Sequence, residues 1–180
     1  LRSDARGREY PQRGGLLNAL TIRSAAPDDG AVIWDILRPV FRAGDTYAVD
    51  PGITRDDALT YWTQAECFVA EVDSEALGTY YLKPNQPGGG AHVCNCGYIT
   101  APSARGRGVA GAMLTHSLAE ARAAGFRAMQ FNFVLTTNTG AIRLWERAGF
   151  AEVGRLPGVF LHPLEGYVDA LVMHKSLLES

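Results

Sequence analysis

From Cys96 to Gly111 the chain reads Cys-Gly-Tyr-Ile-Thr-Ala-Pro-Ser-Ala-Arg-Gly-Arg-Gly-Val-Ala-Gly. A strand is expected to end near Thr100 and a helix to begin near Gly108. Gly106 and Gly108 let the connecting backbone turn so that successive N–H groups point into one hollow. Those donors lie at a helix N-terminus, where the dipole also favours an anion. Arg105 and Arg107 add positive charge. This combination suits a pyrophosphate.

Gly106-x-Gly108-x-x-Gly111 fits the dinucleotide fingerprint letter for letter, which would make the chain an NAD(P)-dependent oxidoreductase. Three features weigh against that reading. The fingerprint should follow its strand at once, whereas Pro102 and four other residues intervene. An acidic residue should close the next strand, but that segment ends Leu135-Thr136-Thr137-Asn138. Only about 70 residues follow the motif, too few for a full doubly wound sheet.

Two blocks carry a different resemblance. Arg105-x-x-Gly108-x-Ala110 is similar to the Gln/Arg-x-x-Gly-x-Gly/Ala signature of the GCN5-related N-acetyltransferases (the GNAT family). Pro102 stands where that family often has Val-x-Pro-x-x-Arg-Gly, with Thr100 in the Val place. Asn138-Thr139-Gly140-Ala141-Ile142-Arg143-Leu144-Trp145-Glu146-Arg147-Ala148-Gly149-Phe150 resembles the family's Asn-x-x-Ala-x-x-Leu-Tyr-x-x-x-Gly-Phe. The similarity runs from Thr21 to about Ser176. It implies a splayed sheet with acetyl-CoA, as co-substrate, in the cleft. Backbone groups of Tyr98, Ile99 and Thr100 would pair with the pantetheine arm. N–H groups of Arg105, Gly106, Arg107, Gly108, Val109 and Ala110, with Gly111 beside them, would hold the pyrophosphate. Asn138 and Trp145 would border the cofactor.

Acetyl transfer needs a neutral amine held against the thioester, a polarised carbonyl and a proton for the leaving thiolate. A strand-edge N–H near Ile99 is the candidate for polarising the carbonyl. An alkyl amine of pKa near 10.4 is only about 0.04% neutral at pH 7, so a base or a water chain to one would help. The family often protonates the thiolate with the tyrosine of the second block, where this chain has Trp145. Indole N–H donates a hydrogen bond but is no usable acid. Candidate substitutes are Asp45 and Tyr47, in the loop between the first two helices, and Tyr167, with Asp169, near the last strands. A primary amine of a small molecule is the expected acceptor, and a homodimer is implied by the resemblance alone. A catalytically silent acyl-CoA-binding module remains a second reading.

His92, Cys94 and Cys96 alternate, so they share a strand face. Such side chains lie roughly 7 Å apart in parallel, while zinc needs each sulfur at about 2.3 Å. A buried strand with small polarisable side chains fits better, and no metal is expected. His116, His162 and His174 are read as surface or incidental, with His162-Pro163 in a loop. Phe131 and Phe133 are expected in the core, and Asn132 at the cleft.

The elements that must place these residues follow from periodicity. A first strand is expected at 20–23 and a helix from Pro27-Asp28-Asp29, with Ile33, Leu37, Val40 and Phe41 inward. Thr54-x-x-Asp57 caps a second helix, in which Ala58, Leu59 and Trp62 are apolar. Strands follow at 68–72 and 76–82, joined at Asp73-Ser74-Glu75, and at 91–100. A helix at 109–124 turns Val109, Met113, Leu114, Leu118 and Ala121 inward and ends at Gly125. A strand at 127–135, a helix at 137–148 ended by Gly149, and strands near 151–155 and 167–175 complete the order β-α-α-β-β-β-α-β-α-β-β. The class is α/β of the α+β type: one mixed sheet of about six or seven strands with about four helices.

The sequence has 180 residues, 47% hydrophobic and 20% charged, enough for one domain with its own core. Residues 1–15 carry four arginines and no apolar run and are read as a tail, leaving 16–180 as the domain. The formal net charge of −2 supplies no field for nucleic acid or membrane. The longest uncharged stretch, 84–104, is too rich in Gly, Pro and Asn to span a bilayer. Three cysteines, Cys67, Cys94 and Cys96, read as reduced thiols of a cytoplasmic protein.

Overall fold

The computed structural model describes residues 2–3, 9–10 and 19–178. Most of the expected tail lies outside them. Arg2–Ser3 and Glu9–Tyr10 pair as a two-residue antiparallel ladder, separate from the main sheet.

The main elements are β1 (Thr21–Ser24), α1 (Gly30–Ala43), α2 (Arg55–Thr63), β2 (Glu66–Val72), β3 (Glu75–Pro84), β4 (Val93–Thr100), α3 (Val109–Ala123), β5 (Ala128–Leu135), α4 (Thr139–Arg147), β6 (Ala151–His162) and β7 (Gly166–Ser176). The expected order therefore holds. Seven strands form one sheet, β1-β2-β3-β4-β5-β7-β6. Every neighbouring pair is antiparallel except β4 and β5, which run parallel.

Local chemistry sets the helices. Thr54 caps α2 by accepting the Asp57 N–H at 3.2 Å. Asn138 does the same for α4, its Oδ1 accepting the Ala141 N–H at 3.3 Å. In α1 the buried side chains Ile33, Ile36, Leu37, Val40 and Phe41 recur at three- and four-residue intervals, so one stripe faces the sheet. They pack with Trp62 of α2 and with Val69, Tyr81 and Ile99. Met113 and Leu114 of α3 and Trp145 of α4 pack with Phe68, Tyr80, Cys94 and Cys96. The period of two along the strands divides the core between these two helix layers. His116, expected at the surface, lies against this second layer, its Nδ1 2.7 Å from the Tyr80 hydroxyl.

Two irregularities shape the cleft. The parallel contact of β4 with β5 is confined to Val93↔Ala128 and Cys94↔Met129. Asn95 Nδ2 donates to the Gln130 carbonyl at 2.8 Å, and beyond it the strands part. Opposite, β5 bulges against β7 between Phe131 and Val134. The bulge breaks the alternation. Phe131 stays buried, whereas Phe133, expected beside it in the core, is 36% exposed and lines the cleft.

The sixth strand runs to His162 rather than stopping near 155. Pro157 is tolerated because β6 is the sheet's edge. Asp169 Oδ1 accepts the Gly158 N–H at 2.9 Å, and its carboxylate pairs with Arg155 at 3.4 Å. His162 thus closes a strand instead of sitting in a loop, and it is buried, with Nδ1 accepting the Leu164 and Glu165 N–H groups.

Candidate active site

The parted strands expose one edge of β4. The ladder with β3 is anchored where the Asn85 N–H donates to the Val93 carbonyl and the Ala101 N–H to the Leu77 carbonyl, both at 2.8 Å. With no register shift between them, antiparallel alternation sends the backbone groups of Asn95, Gly97 and Ile99 to β3. Those of Cys96, Tyr98 and Thr100 therefore point into the gap. The N–H groups available to polarise a carbonyl are thus those of Tyr98 and Thr100, which flank Ile99; its own faces β3.

Two cavities meet at this edge. A groove of about 460 Å³ runs from Tyr98, Ile99 and Thr100 past Arg105, Gly106 and Ala110 to Leu144. A second cavity of about 360 Å³ lies on the other side of the gap. Thr46, Tyr47, Tyr98, Asn138, Ala141 and Trp145 line both, so the spaces join end to end.

The glycine turn closes the groove's far end. Gly106 and Gly108 have φ of 72° and 90°, a region that side-chain-bearing residues avoid. The Ala112 N–H is the first of α3 bonded within the helix, to the Gly108 carbonyl. The N–H groups of Val109, Ala110 and Gly111 precede it and have no intrahelical acceptor. The Arg107 N–H, however, donates to the Ala104 carbonyl at 3.2 Å, and that of Arg105 to the Pro102 carbonyl at 3.5 Å. Two of the six expected donors are therefore engaged inside the turn. Left-handed glycines, unsatisfied helix donors and an exposed Arg105 on the groove wall fit a diphosphate. The Arg107 guanidinium folds back onto the Ser103 carbonyl.

At the junction the Tyr47 hydroxyl donates to the Tyr98 carbonyl at 3.0 Å. Burial pushes the phenols of Tyr47, Tyr81 and Tyr98 well above their ordinary value. They serve as hydrogen-bond groups, not as bases. Trp145 is buried against Tyr98 and Phe131, with ring centroids 5.1 and 4.9 Å away. Asp45 lines the groove and not the second cavity, accepting from the Thr46 hydroxyl at 2.9 Å. Tyr167 is 75% exposed on β7 and lines neither cavity, so the structure removes it from the junction. Asp169 is occupied with the β6 edge.

Sequence reasoning missed most of the second cavity. Tyr61, Tyr81, Lys83, Asn85 and Asn95 line it, brought together from α2, β3 with the residue that follows it, and β4. Tyr81 donates to Asn95 Oδ1 at 3.2 Å, and Asn132, expected at the cleft, lies there and donates to Asn85 Oδ1 at 2.6 Å. Of the alternating trio, Cys94 and Cys96 are buried in the core, while His92 precedes the strand and is exposed.

A model of the acetyltransferase (GNAT) family matches residues 31–150. The N-acetyltransferase aca1 of Schizosaccharomyces pombe is 35% identical over 153 residues, covering 72% of this chain and 71% of its own. The solved structure of a GCN5-related N-acetyltransferase from Kribbella flavida superposes with a TM-score of 0.85 at 40% identity, over 89% of this chain and 99% of that one. Protein yncA of Salmonella typhimurium, solved with its cofactor acetyl-CoA, superposes with a TM-score of 0.79 at 22% identity, over 89% and 95% of the two chains.

Proposed function

The chain belongs to the acetyltransferase (GNAT) family and is an acyltransferase, and from that premise we propose that it moves the acetyl group of acetyl-CoA to a primary amine of a small molecule by direct attack in a ternary complex. One observation carries this reading: two cavities meet end to end at Tyr98, Asn138 and Trp145, and the groove runs to the glycine turn and the first N–H groups of α3. Acetyl-CoA would supply an activated thioester and a diphosphate.

The chain's own groups then have distinct tasks. Val109, Ala110 and Gly111 N–H groups, with Arg105, grip the diphosphate. The N–H groups of Tyr98 and Thr100 face the gap, where a carbonyl oxygen gaining charge would be stabilised. Tyr47 fixes this edge by holding the Tyr98 carbonyl. Asn138 has its oxygen engaged in the helix cap and keeps its amide N–H groups for a ligand. Among the described residues no Asp, Glu or His lines the second cavity, so the amine's proton leaves through water, and the groove beside it carries the Asp45 carboxylate.

Thermal unfolding with acetyl-CoA, CoA, NAD and NADP tests the cofactor. Acetyl-CoA at about 100 times Kd is expected to add about 2.7 kcal/mol, a shift of roughly 5–10 °C. A shift with NAD or NADP alone would overturn the reading. Binding of acetyl-CoA without thiol release across a panel of amines would favour the silent module instead.

Two broader readings go with this one. Leu161, Leu164 and Tyr167 expose apolar surface on the β6–β7 hairpin, which supports a homodimer, testable by sedimentation. All three cysteines are unpaired and buried, which supports a reducing, cytoplasmic location, testable by fractionation.

A further inference from the structure

Resting on the acetyl-transfer reading, we infer that the acceptor is a small amine that also carries an acidic group, and that Lys83 anchors that group. Among the described residues the second cavity is lined by one formally charged side chain, Lys83, among tyrosines, asparagines and apolar residues. A site built for a polyamine or an aminoglycoside would need carboxylates facing the ligand's remaining ammonium groups. A cavity whose single charge is positive repels them.

Lys83 is held in position to act on a ligand. Its ammonium stands over the Tyr81 ring, 5.2 Å from the centroid, and makes no ion pair among the described residues. Tyr81 is itself fixed by its hydrogen bond to Asn95. Beside Lys83, the Asn85 oxygen is taken by Asn132, and Gln130 donates to the Asn132 oxygen at 2.9 Å. The chain of amides runs in one direction and leaves the Asn85 Nδ2 without an acceptor among the described residues, as a donor still to be used. An ammonium and an amide donor together suit a carboxylate or a phosphonate.

Spacing sets the size. Lys83 lies opposite Asn95 in the β3–β4 ladder, and Tyr98, at the junction, is three residues further along. That is roughly 10 Å of strand, which the four-carbon stem of Lys83 spans in part. An acidic group at Lys83 and an amine at the junction are therefore within reach of one small molecule. Phe131, Phe133 and Val134 give its body an apolar wall.

The test uses the full-length protein and matched probes: the proteinogenic amino acids, their carboxamides, 2-aminoethylphosphonate and spermidine. Calorimetric binding to the CoA-loaded and the CoA-free protein is measured alongside acetyl transfer. At least one acid is expected to bind about tenfold or more tightly than its carboxamide or than spermidine. In Lys83→Met that ratio is expected to fall toward one, and Lys83→Arg is expected to keep it. Spermidine bound more tightly than every acid, no acid bound at all, or a ratio unmoved in Lys83→Met would overturn the inference. Failure of the acetyl-transfer reading is seen separately, as absence of CoA binding or of turnover, while the acid-to-carboxamide binding ratio is still read.

Discussion

Tyr81 rests its ring on the bare Cα of Gly97. A Cβ on that residue would lie 2.6 Å from Tyr81 Cε1 and 2.9 Å from Cζ, well inside contact distance. The ring cannot retreat freely, because Trp62 packs edge-on against it with centroids 5.0 Å apart. Gly97→Ala is therefore expected to destabilise the fold by about 1–3 kcal/mol. It should also raise the acceptor KM by moving Tyr81 away from Asn95 and Lys83. Urea denaturation, with a lower midpoint and unchanged slope, checks the first part, and steady-state kinetics the second.

Gly108 caps α3 with φ of 90°, and its neighbours supply the donors at the groove's end. Gly108→Asp adds both backbone strain and a negative charge where a diphosphate would sit. CoA binding measured by calorimetry is expected to disappear while the far-UV circular dichroism spectrum is kept. Unchanged affinity would dismiss the anion site.

Trp145 Nε1 makes no hydrogen bond among the described residues, and the ring's role is packing against Tyr98 and Phe131. Trp145→Phe is expected to lower kcat/KM by less than about tenfold, the scale of a single hydrogen bond. The pH–rate profile should keep its shape, since indole does not titrate. A loss above 100-fold at unchanged CoA affinity would assign the indole N–H a part in the chemistry.

Arg23 holds Asp29 through two contacts, at 2.6 and 3.0 Å, and Glu71 through two more, at 3.1 and 3.0 Å. Asp29 also accepts the Ala26 N–H at 2.6 Å. The Arg23 hydrogen bonds hold the Asp29 carboxyl below its ordinary value of 3.8. A group with a depressed folded pKa contributes stability above its unfolded pKa and loses it as pH falls through the folded one. Arg23→Gln is thus expected to be less stable than the parent at pH 7. The deficit should shrink below about pH 4, as protonation of Asp29 removes the parent's advantage. Denaturation midpoints across pH 2–7 check this, and a deficit independent of pH would refute it.

Local signals were legible in the sequence. Thr54 with Asp57 marks a helix start within a few residues, and the glycine turn is recognisable because its chemistry is contiguous; the cap at Asn138 instead falls one residue inside the helix expected from 137. Long-range registry was not. Lys83 falls just past the strand expected at 76–82 and Asn95 looks like an ordinary strand residue, until the β3–β4 ladder runs on to Pro84 and sets them opposite each other. The bulge that turns Phe133 outward depends on β7, some 40 residues away, and no period in β5 announces it. Tyr167 stands out in the sequence as a phenol near the last strands, but it pairs with Leu161 close to the turn of the β6–β7 hairpin and is exposed there.

The parting of β4 from β5 also bears on whether this open strand edge can recruit other chains. A strand edge with unmatched N–H and C=O groups recruits other chains when it lies at the margin of a sheet. This edge lies in the sheet's interior, between four strands on one side and three on the other. Tyr47 already occupies the Tyr98 carbonyl, so an invading polypeptide would find its ladder broken at the second rung. The gap thus keeps its donors for a thinner guest and offers neighbouring molecules no template for fibre growth.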